Sequence, residues 1–281
     1  MSLKTLDYLH SIKDNSQPLF FILGPCAMES ESHSLKMAEF LKKLSEKLNF
    51  KLIFKSSFDK ANRTSLSSYR SLGLEEGCRI LSKVKKEFDV PTITDIHEPP
   101  QASIVAEHVD ILQIPAFLCR QTDLLVAAAK TGKILNIKKG QFLAPEVMGE
   151  ISKKVESADN DNIWFCERGY AFGYGNLIVD YRNFSIMKSF QKPVVFDATH
   201  SVQRPSSLGS SSGGDRKFVL DLAISAVAQG IAGIFMEVHE EPERAPCDGP
   251  NSIRLSQLEE TIKYLLDLDS FIKSRKKIEV Y

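Results

Sequence analysis

Four side chains able to hold a metal ion stand far apart in this chain: Cys26, His200, Glu237 and Asp248. Together they offer a thiolate, an imidazole and two carboxylates, a set that suits a borderline divalent ion such as Zn²⁺, Fe²⁺ or Mn²⁺. Such a site can still admit water. On spacing alone the set is weak, because a single cysteine near a strand end is more often a small buried hydrophobe. A second group is cationic: Lys55, Lys60, Arg63, Lys138 and Arg168. Gathered in one pocket they would grip a multiply charged anion, with Arg forks for phosphate and Lys as mobile point charges. The competing reading makes each a solvated surface charge, as Lys and Arg usually are. Lys138 behind the apolar run ILNI, and Arg168 behind WFCE, favour the pocket.

These residues need elements to position them. Short apolar runs rich in Ile, Val and Phe recur at 19–25, 52–57, 91–96, 111–117, 133–138, 162–168, 193–199 and 231–238. Between them lie stretches with apolar residues every three or four positions, such as 34–48, 73–88, 121–131 and 217–229. The strands are hydrophobic on both faces, as parallel strands covered by helices are. Eight strand–helix units in 281 residues predict an α/β fold, a closed (β/α)8 TIM barrel forming a single domain, with 1–18 as an N-terminal extension. An open doubly wound sheet usually has fewer strands.

A barrel builds its active site at the C-terminal strand ends, and the polar residues collect there. The first strand ends at Cys26, the second at Lys55 and then Lys60, the third at Asp95 and His97. The fourth holds Gln113 and leads to Arg120; the fifth ends at Lys138, the sixth at Arg168 and the seventh at His200; the eighth holds Glu237 before Asp248. Closure makes the eighth strand the neighbour of the first, so the four candidate ligands can converge. The stretch SSLGSSSGGDR at 206–216 reads as a long loop after the seventh strand.

Composition narrows the function. Thirty-six Lys plus Arg balance thirty-six Asp plus Glu, which removes the case for a nucleic-acid surface or a polybasic membrane anchor. Five cysteines at irregular spacing include no CxxC pair, so no disulfide framework is expected. The N-terminal residues lack signal-peptide features, and no apolar run approaches about 18 residues, so the expected compartment is a reducing cytoplasm. Cys78, Cys119 and Cys166 read as core. His10, His33 and His108 have no evident partner, His239 stands close to the metal candidates, and His97 fits site and scaffold equally.

The same strand ends spell longer motifs: GPCAMES at 24–30, KSSFDKANRTS at 55–65, TDIHEP at 94–99 and QIPAFLCRQTDL at 113–124. NIKKGQF at 136–142, CERG at 166–169, FDATHSVQ at 196–203 and MEVHEEPERAPCDGP at 236–250 follow. In this order, from about 19 to about 265, they closely resemble the 3-deoxy-D-manno-octulosonate 8-phosphate synthases. The resemblance implies condensation of phosphoenolpyruvate with D-arabinose 5-phosphate and water, by cytoplasmic homotetramers serving lipopolysaccharide synthesis. It implies a phosphoenolpyruvate site of Lys55, Lys60, Gln113, Ala116, Lys138 and Arg168. Asn62, Arg63, Thr64 and Asp95 would bind the pentose phosphate, with Phe117 and Arg120 reaching in from a neighbouring subunit. Lys60, His200 and Asp248 would carry the chemistry, and no organic cofactor is implied. Two branches exist: a metal-dependent one with Cys at position 26, and a metal-free one with Asn there and a CDGP turn. This chain carries Cys26 and also Cys247-Asp248-Gly249-Pro250; Cys26 places it with the metal-dependent branch. Related enzymes that make a seven-carbon product from erythrose 4-phosphate usually have KPRTS where this chain has KANRTS, which makes Asn62 the substrate-choice residue. A Schiff-base aldolase using Lys138 and a non-catalytic sugar-phosphate binder are the remaining rivals.

Overall fold

The computed structural model of the chain describes residues 3–63, 65–171, 175–204 and 213–276. After helix α1 (Leu3–Ser11), eight parallel strands follow: β1 (Phe20–Gly24), β2 (Lys51–Lys55), β3 (Thr92–Asp95), β4 (Ile111–Ile114), β5 (Ile134–Lys138), β6 (Ile163–Glu167), β7 (Val194–Asp197) and β8 (Gly233–His239). Each pairs with the next, and β8 closes on β1 in the register Phe20↔Gly233 through Gly24↔Glu237. Helices α2 (Glu31–Leu48), α3 (Leu74–Phe88), α4 (Pro99–Ala106), α5 (Thr122–Ala129), α6 (Val147–Glu156), α7 (Arg182–Ser189), α8 (Val219–Val227) and α9 (Leu255–Lys273) cover the outside. This is the (β/α)8 barrel predicted from the alternation of runs.

Strand alternation sorts the core into two shells. Outward residues such as Phe21, Leu23 and Phe54 pack with the helices, while Phe20, Ile22, Ile53, Ile93, Ile111, Ile134, Trp164, Val195 and Phe235 fill the interior. Leu9 and Ile12 join the interior shell, and Lys51 at the start of β2 lies over the Tyr8 ring. Helix α1 therefore stoppers the N-terminal end of the barrel, where the sequence reading assigned no element. At nine residues it is too short to persist without that burial. The C-terminal end is left for the site.

The loop expected at 206–216 lies largely outside the described residues, since 205–212 are not among them. Its flanks, Gln203–Arg204 and Gly213–Gly214, pair antiparallel. Among the described residues no helix is long and apolar enough to cross a membrane.

Gly24 is fixed by a close approach. A Cβ there would stand 1.8 Å from the carbonyl oxygen of Lys55, so the ends of β1 and β2 meet only because position 24 carries no side chain. Gly132, with φ +68°, faces open space. Urea denaturation should show Gly24→Ala losing more than about 3 kcal/mol and Gly132→Ala only about 1 kcal/mol; equal midpoints for the two variants would contradict this packing.

Candidate active site

A cavity of about 430 Å³ opens at the C-terminal ends of the strands. Lys55, Lys60, Asn62, Arg63, Asp95, Ala116, Phe117, Lys138, Arg168, His200 and Asp248 all line it, with His97 among them. Its floor is organised by the fully buried carboxylate of Glu237. Oε1 of Glu237 lies 3.1 Å from Lys55 Nζ, 3.3 Å from His200 Nε2 and 3.7 Å from Lys60 Nζ. Burial alone would raise the Glu237 pKa, but His200, Lys55 and Lys60 outweigh it and hold the group well below the ordinary carboxylate range. Lys55 also donates to the Cys26 carbonyl at 3.1 Å. Burial, followed by repulsion from Lys60, lowers its pKa against the opposing pull of Glu237 and Asp95.

His200 is oriented from behind. Its Nδ1 meets Asp197 Oδ1 at 2.9 Å, and its backbone N–H donates to the same oxygen at 3.0 Å. Nε2 is thereby turned toward Glu237 and Asp248, the latter at 3.7 Å. Burial disfavours the imidazolium, but Asp197 and Glu237 overcome that penalty and raise the His200 pKa to about 9. Asp197 also takes Lys138 Nζ at 2.7 Å, and Lys138 lies over the Phe235 ring. Arg168 donates to the His200 carbonyl at 3.1 Å and to Gln203 Oε1 at 2.6 Å, both uncharged acceptors. Gln203 in turn donates to Asp248 Oδ1 at 3.2 Å.

Not every anticipated residue reaches the cavity. Gln113 is fully buried beneath it, donating to Asp95 Oδ1 at 2.6 Å and accepting from Asn136 Nδ2 at 2.9 Å. Its part is to orient Asp95, which Ser57 also holds. Arg120 is exposed and does not line the cavity, whereas Phe117, 55% exposed, stands on its rim. Thr64 lies outside the described residues. Cys78, Cys119 and Cys166 are buried, as read from sequence.

The cysteine expectation needs correction. Cys26 and Cys247 are joined as a disulfide, with Cα atoms 6.4 Å apart and a sequence separation of 221. Spacing along the chain missed the pair because barrel closure makes the end of β1 and the loop after β8 neighbours. Cys26 Sγ is also 3.3 Å from Asp248 Oδ2. Asp248 belongs to two groups of potential ligands, one with His200 and Glu237, the other with both cysteines. The second oxygen of Glu237 is buried with no hydrogen-bond partner among the described residues, and Asp197 backs His200 as an outer carboxylate backs a metal-bound imidazole. These donors fit a divalent ion of the zinc class, with Cys26 contributing once its sulfur is reduced.

Sequence reasoning overlooked the outer carboxylates. Asp197 is signalled only by its place three residues before His200. Glu167 accepts the Arg168 backbone N–H at 2.9 Å and Asn183 Nδ2 at 2.8 Å, and lies 3.5 Å from the fully buried Lys139. Beside Lys138, Lys139 carried no mark of its separate role.

The sequence profile of the DAHP synthetase I family matches residues 6–274. The chain is 55% identical over 262 residues to the 2-dehydro-3-deoxyphosphooctonate aldolase of Bartonella tribocorum, covering 93% of this chain and 94% of that one. Proteins of the same name from Magnetococcus marinus (54% over 265 residues; 94% and 92% covered) and Trichlorobacter lovleyi (56% over 255 residues; 91% and 94% covered) are similar over the same extent.

The His200 environment makes a prediction for the metal-free protein. Its ring should titrate in NMR with a midpoint near 9, and Asp197→Asn should bring that midpoint down by about one unit or more. Because the folded pKa is raised, the stability tied to this proton is fully present below the ordinary value of 6.5 and is lost as pH rises through about 9. A midpoint unmoved by Asp197→Asn would count against the assigned orientation.

Proposed function

This chain belongs to the DAHP synthetase I family, and on that premise we propose that it condenses phosphoenolpyruvate with D-arabinose 5-phosphate and water. The products are 3-deoxy-D-manno-octulosonate 8-phosphate and inorganic phosphate. The observation that carries this reading is the convergence of Lys55, Lys60, Arg63, Lys138 and Arg168, from the ends of two strands and the loops after two, on a single cavity. Two phosphorylated reactants and an enolpyruvate carboxylate need such a concentration of positive charge. The relatives' name, 2-dehydro-3-deoxyphosphooctonate aldolase, agrees with the eight-carbon product.

In the proposed reaction, C3 of the enol phosphate attacks the aldehyde carbon and forms the new C–C bond. The aldehyde oxygen takes a proton, water supplies a hydroxyl to C2, and the C2–O bond to phosphate breaks, releasing inorganic phosphate. Lys55, Lys138 and Arg168 hold the phosphoenolpyruvate end. Asn62 and Arg63 hold the pentose phosphate, with Asn62 available to bond a hydroxyl of the sugar; a site built for that bond rejects substrates that leave it unpaired. Lys60 supplies the proton or the polarising charge at the aldehyde oxygen. A divalent ion held by Cys26, His200, Glu237 and Asp248 would polarise and orient an oxygen ligand. His200, fixed by Asp197, and Asp248, fixed by Gln203, keep those donors in place.

The enzyme acts in the cytoplasm as a homotetramer in lipopolysaccharide synthesis. Exposure of Phe117 and Arg120 on the surface after β4 supports their reaching a neighbouring subunit's site.

Two measurements test this reading. Phosphate release from phosphoenolpyruvate should depend on arabinose 5-phosphate and be at least about tenfold slower with erythrose 4-phosphate; the reverse preference would assign the seven-carbon reaction instead. Bound divalent metal, measured by atomic emission after thiol reduction, should fall sharply in Cys26→Asn, with turnover falling alongside. Full turnover after rigorous metal stripping would place the chain with the metal-free branch.

A further inference from the structure

A second group of ligand-type side chains lies apart from the substrate cavity. Glu29 precedes α2, His33 sits in the first turn of that helix, His239 ends β8 and Glu240 follows it. His239 Nε2 is 2.8 Å from Glu29 Oε1, and His33 Nδ1 is 3.9 Å from the same oxygen. One ligand atom from each of Glu29, His33 and His239 falls within 4.8 Å of the others. None of the three lines the catalytic cavity.

The bonding around His33 singles this cluster out. Its Nε2 meets Glu240 Oε2 at 3.0 Å, while Nδ1 is buried without a hydrogen-bond partner among the described residues. A neutral ring donating Nε2–H to Glu240 leaves a bare Nδ1 lone pair on the side of Glu29. That is the arrangement of a metal-binding imidazole: one nitrogen free, the other anchored by a carboxylate. The two imidazole rings lie 5.1 Å apart, which keeps both on the flank of Glu29. For His239 one exchange is needed. Its Nδ1 accepts the Glu241 N–H at 3.0 Å, so Nε2 carries the proton that faces Glu29. Moving that proton to Nδ1 frees Nε2, and Glu240 Oε2, 3.7 Å from Nδ1, can accept it in place of the amide contact.

We propose that Glu29, His33 and His239 form a second divalent-metal site of the zinc class, with Glu240 as its outer carboxylate. Two imidazoles and one carboxylate leave a coordination position open to water. The ion would tie the start of α2 to the end of β8, the strand that carries Glu237.

The test is zinc stoichiometry on the full-length, reduced, chelator-stripped protein, by equilibrium dialysis and atomic emission. Wild type should retain one more zinc per chain than His33→Asn or Glu29→Gln, and Cys26→Asn should keep that equivalent. Glu240→Gln should keep the site but weaken it about 10- to 100-fold. In the Cys26→Asn background, adding Glu29→Gln should remove part of the Co²⁺ d–d absorption, and the difference spectrum should carry no thiolate charge transfer. Equal zinc in wild type, His33→Asn and Glu29→Gln would overturn the proposal. So would a Co²⁺ spectrum left unchanged by Glu29→Gln.

Discussion

A buried carboxylate, Glu237, is the interaction on which the mouth of the barrel depends. A fully buried Lys–Glu pair costs several kcal/mol per ion in lost hydration, and breaking one partner leaves the other charge stranded. The fold meets that cost with geometry. Lys55 on β2 and Glu237 on β8 are separated by β1, whose inward position in register with Glu237 is Gly24. With no Cβ at that position to strike the Lys55 carbonyl, the ends of β1 and β2 close, and the Lys55 ammonium meets the carboxylate at 3.1 Å. Closure of the barrel, the glycine and the ion pair are therefore one constraint, and Lys60 and His200 gather around the same oxygen.

Much of the cationic charge is already paired before any anion enters. Lys55 faces Glu237 and Lys138 faces Asp197, while Arg168 is held by a carbonyl and an amide oxygen. Paired lysines are fixed in direction but attract a new anion less strongly than isolated ones would, so they serve position more than affinity. Arg168, its backbone pinned through Glu167, brings charge that no hydrogen-bonded carboxylate offsets. The chain Asn136–Gln113–Asp95–Ser57 gives the opposite wall the same rigidity with neutral donors. A site of this kind is preorganised toward charge that develops during reaction, which is where electrostatic stabilisation is most effective.

The strands were legible because parallel barrel strands are apolar on both faces and stand at regular intervals. The cations at their ends were legible because a charge terminating an apolar run has few structural excuses. Relations across strands were not. Cys247 lies in a loop remote from Cys26, and only closure brings them together. The resemblance makes Gln113 a contact residue, but depth along a strand decides between touching a ligand and holding Asp95. Asp197 and Glu167 end strands as plainly as Lys138 does, yet nothing in the sequence tells a carboxylate that touches a ligand from one that holds its neighbour in place. Helix α1 left no trace because its burial is tertiary, against the barrel floor.

The turn after β8 serves two ends that exclude each other. Asp248 adopts φ +49°, a left-handed conformation that aspartate tolerates better than most residues, and this turns its carboxylate toward His200. Gly249 follows, where a Cβ would stand 2.2 Å from the Pro242 carbonyl oxygen, so the turn has little freedom to move. The same turn presses Cys247 against Cys26. A sulfur committed to a disulfide has no thiolate to give a metal, so oxidation would leave only His200, Glu237 and Asp248. That change reduces more than the number of ligands. Imidazole and carboxylates without thiolate discriminate less in favour of soft ions, so in the proposed metal site the pairing state of Cys26 would set the metal preference as well as the strength of binding.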